Sequence, residues 1–209
     1  ISQRSGPTIA VHVVASNPST PSRNELQGFV ETNHYVSIQA AHFTNRTSEG
    51  AAHWTNLPDF GETLSGMTIF PVTAASVLPP EPAALLEYKM YLFDPGAYHV
   101  EAILAPTLSF VPGRGLRYAI SFDDQPPLVV DALADDSEKA WATTVSDGVR
   151  KVTSTVTVTR PGYHTLKFRM VDPGVVLEKL VVSQGKVPSS YLGPPESFYH
   201  PASAERNQP

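Results

Sequence analysis

The sequence predicts an all-β fold, an antiparallel β-sandwich, on three observations. Ten short runs either alternate apolar and polar residues or are rich in β-branched residues, as strands are. The 20 prolines and 13 glycines are spread between these runs instead of forming one block. Only residues 135–148 show a helical pattern, with Ser137 as a candidate N-cap, and we expect a loop or a single turn there. Ten strands are enough for two packed sheets.

Each of the ten runs is a predicted strand. They are residues 8–14, 35–43, 67–72, 85–93, 98–104, 116–122, 128–133, 152–159, 163–170 and 175–182. In the run 152–159, three valines and one serine alternate with threonines, which predicts a valine face toward the core and a threonine face toward solvent. Turn sequences that begin at Asp94, Asp123 and Arg160 predict three hairpins, and hence antiparallel meanders.

Composition divides the chain into four parts. Residues 28–199 are expected to form one β-sandwich module, because about 200 residues of this class usually make a single domain. Residues 16–27 are polar and contain prolines and serines, which is typical of a linker, and residues 200–209 are expected to be a disordered tail. Residues 1–15 contain one apolar strand. The chain begins at Ile1 without a methionine, so we expect a segment to precede it.

Charge and composition exclude several classes of function. A formal net charge of −5 gives no basic field that would hold nucleic acid. No apolar run approaches the roughly 20 residues that a membrane-spanning helix needs, so we expect no membrane insertion. The chain has no cysteine, which removes disulfides, thiolate metal sites and cysteine nucleophiles.

Asn45-Arg46-Thr47 is an N-glycosylation sequon in a polar stretch that is typical of a loop. We expect Asn45 to be a glycan acceptor in a secreted, extracellular protein. Such triplets also occur by chance, and that alternative stays open.

Several segments carry a resemblance to a known family. They are the run 107–127, which contains Pro112-Gly-Arg-Gly-Leu-Arg117, the run 160–182, which contains Pro161-Gly-Tyr-His-Thr-Leu166, and the strands at 35–40 and 86–93. In this order they resemble the C-terminal β-domain of the family 115 glycoside hydrolases. These are the α-glucuronidases that remove (4-O-methyl-)glucuronic acid from xylan. The resemblance runs from about Gly28 to Ser197, which is most of the chain.

The resemblance implies a non-catalytic accessory module, because the catalytic carboxylates of that family lie in a barrel domain far upstream. Its implied partners are plant cell-wall glucuronoxylan, which the module would bind or position, and the other domains of the parent enzyme. The alternative is a purely structural domain that braces the catalytic domain or the dimer interface. Residues 8–15 are similar to the last strand of the preceding domain, and an apolar strand with an unpaired edge promotes association, so we expect weak self-association.

A fainter similarity links the strand order to carbohydrate-binding modules of families 6 and 35, which are galactose-binding-like jelly rolls. In those modules the first strand supplies carboxylates to a structural calcium ion. Here the corresponding residues are Ile38-Gln39-Ala40-Ala41, and only Glu178 lies near an expected acidic position. Because calcium takes six to eight oxygen ligands with carboxylates among them, we expect no tight calcium site and no other cofactor.

Both tryptophans of the chain, Trp54 and Trp141, are candidate ligand contacts. They lie in segments predicted as loops or loop edges, where an indole face can stack on the C–H face of a sugar ring. Packing under a loop as part of the core is the alternative for each.

Arg114 and Arg117 are the other candidate ligand contacts. A guanidinium fork suits the carboxylate of a uronic acid. The alternative is an interdomain contact, or a salt bridge to Asp123, Asp124 or Glu87 that stiffens the loop, and such a structural role is the more frequent one for surface arginines.

No catalytic residue is predicted. Asp123 and Asp124 are adjacent carboxylates, but they occupy a predicted turn, where aspartate is favoured by its hydrogen bonds to the backbone. The histidines lack the paired spacing of a zinc site, and a Gly-x-Ser-x-Gly nucleophile motif is absent from the sequence. An independent hydrolase therefore has no support from any motif.

Overall fold

The structure, a computed structural model, describes residue 22 and residues 25–110, 113–135 and 137–201. Within these residues the chain forms strands and one helix. In order they are β1 (Gly28–Val30), β2 (Tyr35–Gln39), β3 (Asn45–Thr47), β4 (His53–Pro58), β5 (Ser65–Phe70), β6 (Leu85–Leu92), β7 (Gly96–Leu104), β8 (Arg117–Phe122), β9 (Leu128–Asp131), α1 (Glu138–Asp147), β10 (Arg150–Val158), β11 (Gly162–Met170), β12 (Val176–Ser183) and β13 (Tyr199–His200).

Two sheets pack face to face. Sheet A has the order β13-β1-β6-β11-β8-β9, with β3 also paired to β6, and sheet B has the order β10-β7-β12-β5-β4, with β2 also paired to β12. Among the described strands only β1 and β6 pair in parallel, and the other pairs are antiparallel. The predicted all-β sandwich is confirmed.

Nine of the ten predicted strands correspond to β2 and to β5 through β12. The tenth, at residues 8–14, lies outside the described residues, as do residues 1–15 as a whole. The sequence analysis missed β1, β3, β4 and β13. Three of these have only two or three residues, and β4 combines polar residues with Pro58, so none shows a sustained period of two.

The expectation of a loop or single turn at residues 135–148 is wrong. The segment forms α1, a helix of ten residues. Ser137 is its N-cap, as predicted, and its Oγ accepts a hydrogen bond from the Ala140 amide at 3.2 Å. Gly148 ends the helix with a φ of 65°, the left-handed conformation that glycine adopts without strain.

Only one of the three predicted hairpins forms. The turn after Asp123 joins β8 and β9, which pair in sheet A. The turns at Asp94 and Arg160 instead lead from one sheet to the other, because β6 and β11 belong to sheet A while β7 and β10 belong to sheet B. These two turns are corners of the sandwich, so the prediction of hairpins there is wrong.

Aromatic side chains from both sheets meet in the core. The Phe168 ring, from sheet A, stacks on Tyr118 with ring centroids 4.6 Å apart and meets Trp54, from sheet B, edge-on at 5.7 Å. In β10, Val156 and Val158 are buried and the threonines are exposed, as predicted.

The segment that follows β12 connects the edges of both sheets. The Ser197 amide donates to the Ser37 carbonyl at 2.8 Å, and the Val30 amide donates to the Phe198 carbonyl at 3.0 Å. The ammonium of Lys179, which is buried, donates to the carbonyl of Pro194. The chain then enters β13, which pairs with β1. Packing therefore reaches as far as His200, the first residue of the predicted tail, and residues 202–209 lie outside the described part of the chain.

Candidate functional site

Trp54 is part of the core. It lies in β4 and is 1% exposed, and its ring contacts Phe168 across the sandwich. The predicted loop position is wrong, and a buried indole cannot present a face to a sugar. The alternative considered for this residue, core packing, is the observed role.

Trp141 lies on α1 rather than in a loop, and it is 40% exposed. Val145, one helical turn further on, is also exposed. Because α1 connects β9 and β10, which are edge strands of their sheets, Trp141 projects from one side of the sandwich. Its predicted ligand contact stays a prediction.

Arg114 and Arg117 both meet Asp172, whose side chain is fully buried. Arg117 binds it with two hydrogen bonds, Nε to Oδ2 at 2.7 Å and Nη2 to Oδ1 at 3.1 Å, and Arg114 Nε lies 3.7 Å from Oδ1. The Ser76 hydroxyl also donates to Asp172. The structural role considered for these arginines is thus observed, but with Asp172 rather than with Asp123, Asp124 or Glu87.

The pKa of Asp172 reflects two opposing effects. Burial raises it, while the hydrogen bonds from Arg117 and Ser76 lower it, and the net result is a pKa below the ordinary value for aspartate. Asp172 is therefore a carboxylate that organises the loops at this end of the sandwich. The ligand role predicted for the two arginines stays a prediction.

Asn45 is exposed, as a glycan acceptor must be, but it lies in β3 and not in a loop. Its Nδ2 donates to Glu87 Oε2 at 2.6 Å. The neighbouring Thr44 donates from Oγ1 to the Glu87 carbonyl at 2.8 Å and accepts from the Lys89 amide at 3.1 Å. These bonds fix β3 against β6.

Glu178, the acidic residue considered for calcium, binds backbone amides. Its Oε2 accepts hydrogen bonds from the amides of Glu62 at 2.9 Å and Thr63 at 3.1 Å. Burial raises the pKa of Glu178, and these hydrogen bonds offset only part of that effect. Within the residues that the structure describes, no group of three or more histidine or carboxylate side chains could hold a metal ion.

Asp123 serves the turn between β8 and β9, where it has a φ of 50°. Its Oδ1 accepts from the Thr165 amide at 2.9 Å, and its Oδ2 lies 2.8 Å from His164 Nδ1. The other ring nitrogen of His164 lies 2.9 Å from the Arg160 carbonyl. Both partners of the imidazole are acceptor oxygens, so the buried His164 connects the turn at Asp123 with the turn at Arg160.

A groove on the outer face of sheet A combines exposed aromatic and polar groups. Strand alternation and the register between β6 and β11 place Tyr163 beside Tyr91 and Thr165 beside Lys89, on the face away from the core. The groove has a volume of about 380 Å³. It is lined by Gln27, Gly28, Thr44, Lys89, Tyr163, His164, Thr165 and Tyr199. We call it the Tyr163 groove.

Tyr163 is the most exposed aromatic residue of the groove, at 56%. Its ring meets Tyr91 edge-on at 5.1 Å, and its hydroxyl accepts a hydrogen bond from the Gln27 amide at 3.2 Å. These contacts hold the ring in place while more than half of the residue stays exposed. Gly28, with a φ of 79°, allows β1 to approach Lys89 closely at the base of the groove, because a Cβ there would lie 2.8 Å from the Lys89 carbonyl oxygen.

Lys89 supplies a positive charge to the groove. It is exposed and forms no salt bridge with a carboxylate of the described residues. A fixed aromatic face, an ammonium and the hydroxyl of Thr165 are together the groups that can bind a sugar ring and a carboxylate on it.

The sequence analysis missed this groove, although one signal was present. The period of two in the predicted strand 163–170 places Tyr163, Thr165, Lys167 and Arg169 on a single face, which is a polar and aromatic face. The neighbouring strand that brings Lys89 beside it follows from the sheet order, which the sequence does not show.

No helix of the described residues has the length and apolar composition needed to cross a membrane. A search of curated proteins finds no match to this chain.

Several solved structures are similar to this chain. A family 115 4-O-methyl-α-glucuronidase with specificity for decorated arabinogalactans matches with a TM-score of 0.57 and 16% identity, over 75% of this chain and 18% of that one. A family 6 carbohydrate-binding module of a laminarinase from Zobellia galactanivorans matches with a TM-score of 0.45 and 12% identity, over 72% and 99% of the two chains. A family 35 module from Clostridium thermocellum gives 0.44 and 13%, over 72% and 98%.

The present chain therefore spans less than a fifth of the glucuronidase that it matches. A family model for the glycosyl hydrolase family 115 C-terminal domain matches residues 28–196, most of the chain, and confirms the resemblance found in the sequence. The chain belongs to the glycosyl hydrolase family 115 C-terminal domain family.

Proposed function

We propose that this domain is a non-catalytic module of a family 115 enzyme and that it binds glucuronoxylan in the Tyr163 groove. The observation that carries the proposal is the exposed ring of Tyr163 in the same groove as Lys89, a cation that forms no salt bridge within the described residues. Family membership supports a role beside a glycoside hydrolase. The adjacent carboxylates Asp123 and Asp124 support a non-catalytic role, because both lie in the turn between β8 and β9, where Asp123 accepts a hydrogen bond from the Thr165 amide.

The physical argument for sugar binding is the match between the groups. The C–H face of a pyranose packs on a flat aromatic ring. The contact contributes most to the binding free energy when the ring is already immobile, because no side-chain entropy is then lost on binding. Tyr163 meets that condition through Tyr91 and Gln27. The ammonium of Lys89 adds a charge-assisted bond to a glucuronate carboxylate.

Trp141 would have to form a separate contact. Trp141 is not among the residues that line the Tyr163 groove, and α1 lies beside β10 of sheet B. Arg114 and Arg117 lie at the loop end with Asp172, so we do not include them in the groove.

Titration calorimetry of the module tests the proposal, with glucuronoxylan, debranched xylan, free glucuronic acid and a glucuronidated arabinogalactan as ligands. We expect Tyr163→Ala to weaken binding about tenfold, which corresponds to about 1.4 kcal/mol. Tyr163→Phe keeps the ring and should bind as the unmodified module does. Loss of binding in Trp141→Ala but not in Tyr163→Ala would move the site to α1 and contradict the groove.

The structural alternative has an observation of its own. Leu108 and Phe110, in the loop between β7 and β8, are each 55% exposed, and Thr107 pins this loop to the Gly174 carbonyl at 2.9 Å. A fixed loop with exposed apolar side chains suits a contact with another domain. No binding to any of the saccharides, together with concentration-dependent dimerisation in sedimentation, would favour this domain-bracing role.

We also propose that the protein is secreted and carries a glycan on Asn45. The side chain is exposed, although attachment of a sugar to Nδ2 would require its hydrogen bond to Glu87 to rearrange. Mass spectrometry of the protein secreted from a eukaryotic host should show a glycan that Asn45→Gln removes. An unmodified Asn45 in secreted protein would exclude the site.

A further inference from the structure

We infer that the binding surface extends from the Tyr163 groove along β11, over a row of cations formed by Lys89, Lys167 and Arg169, and that it binds chains with more than one uronate. We call these three residues the cation row. The inference rests on the proposed function and goes beyond it, because it assigns a second carboxylate contact outside the groove.

Strand alternation places the cation row on one face. In β11 the side chains of His164, Leu166, Phe168 and Met170 are buried, so those of Tyr163, Thr165, Lys167 and Arg169 point away from the core. In the register with β6, Thr165 lies opposite Lys89 and Arg169 lies opposite Leu85. The row therefore begins inside the groove and continues beyond it.

The length of the row exceeds one sugar ring. Arg169 follows Thr165, the partner of Lys89, by four residues, which is about 13 Å along an antiparallel strand. A single glucuronic acid at Lys89 cannot also reach Arg169. Two carboxylates on an extended polysaccharide can contact both, because Lys89 and Arg169 lie on the same face of sheet A and neither is buried.

The cations of the row are available to a ligand. Lys89 and Arg169 form no salt bridge and no side-chain hydrogen bond with another described residue. Lys167 lies 3.3 Å from Asp124 Oδ1, but that carboxylate is fully exposed, so the pair contributes little and can exchange for a ligand. Arg117, by contrast, already donates hydrogen bonds from Nε and Nη2 to Asp172.

Besides Asp124, a second carboxylate opposes the row. Glu87 lies opposite Lys167 in the register, and its Oε2 accepts the hydrogen bond from Asn45. It can accept hydrogen bonds from sugar hydroxyls, but it repels a uronate. The two kinds of charge should therefore affect the affinity for a uronate in opposite directions. Removal of a cation should weaken uronate binding, while removal of the Glu87 charge should strengthen it.

The experiment compares xylo-oligosaccharides that carry one or two glucuronate groups, by calorimetry at low and high salt. We expect the module to bind the doubly substituted ligand about tenfold more tightly, with a difference that salt reduces. Arg169→Met should bring the affinity for the doubly substituted ligand down to that for the singly substituted one. Lys89→Met should weaken both, and Glu87→Gln should strengthen both about threefold. Lys186→Met, at an exposed position outside the row, is the charge-matched control.

Each outcome separates the inference from the proposed function. If Tyr163→Ala and Lys89→Met weaken binding but Arg169→Met and Glu87→Gln bind as Lys186→Met does, the cation row is wrong and the groove stands. If no saccharide binds to a folded module, as judged by circular dichroism, both are wrong. Equal affinity for singly and doubly substituted ligands also overturns the inference.

Discussion

Asp172 connects two loops of the sandwich through a single buried carboxylate. Its carboxylate accepts hydrogen bonds from Arg117 and from the Ser76 hydroxyl and forms an ion pair with Arg114. Its backbone amide donates to the Arg117 carbonyl at 2.9 Å. Because its pKa in the folded state is below the ordinary value near 3.9, the carboxylate stabilises the fold above that pH. This contribution is lost as the pH falls through the folded-state pKa.

Asp172→Asn should therefore lower the free energy of unfolding by about 2 kcal/mol at pH 7, since two arginines lose a charged partner while both stay partly exposed. Urea denaturation at pH 7 and at acid pH measures the effect. The variant and the unmodified domain should converge as the pH falls. Asp124→Asn, at a fully exposed carboxylate, is the matched control. The same loss at both pH values would contradict the ionic role of Asp172.

Single residues show where sequence reasoning stops. A loop-stiffening salt bridge was considered for the arginines, and the structure contains one. Its partner was not predicted, because Asp172 is 55 residues away from Arg117 along the chain. Trp54 was placed in a predicted loop or loop edge, whereas it lies in β4 and is buried in the core. Side-chain type predicts which bonds a residue can form, and only the fold decides which partner is near.

Among the elements, α1 is the one whose stability depends most on its capping residues. Thr144 is its only buried residue within the described side chains, so packing contributes little to its stability. The cap at Ser137 and the left-handed Gly148 therefore matter more than in a helix with an apolar face. The same lack of an apolar stripe explains why the sequence showed the cap but not the length of the helix.

Ser137→Ala should cost about 1 kcal/mol of stability, the usual value for the loss of an N-cap, and so lower the melting temperature by about 2–4 °C. Differential scanning calorimetry measures this shift. Ser189→Ala, in an exposed position after β12, is the control and should melt as the unmodified domain does. An unchanged melting temperature in Ser137→Ala would mean that α1 does not unfold together with the sandwich.

The long strands were predictable and the short ones were not. Nine runs that alternate or are rich in β-branched residues became strands. In β6, β10 and β11 buried residues alternate with more exposed ones, whereas β12 is buried throughout. The strands β1, β3 and β13 are defined by backbone pairing to neighbours that the sequence does not specify. The Tyr163 groove is built against β1, β3 and β13, which is why it could not be located from the sequence.

For the whole molecule, a turn sequence predicts a change of direction but not which sheet the chain enters next. The Pro-Gly turns after Asp94 and Arg160 lead from one sheet to the other, while the turn after Asp123 closes a hairpin within sheet A. Local turn chemistry is compatible with both outcomes. The fold class was thus accessible from composition and periodicity, and the strand order was accessible only from the structure.

The pairing of β1 with β13 brings the two ends of the folded unit together. Gly28 lies directly opposite His200, and paired residues in antiparallel strands have Cα atoms only about 5 Å apart. A unit with this geometry can be inserted into an exposed loop of a host protein with almost no separation of the loop ends. It can equally be circularly permuted, with a few residues joining His200 to Gly28 and new ends opened at the turn between β8 and β9.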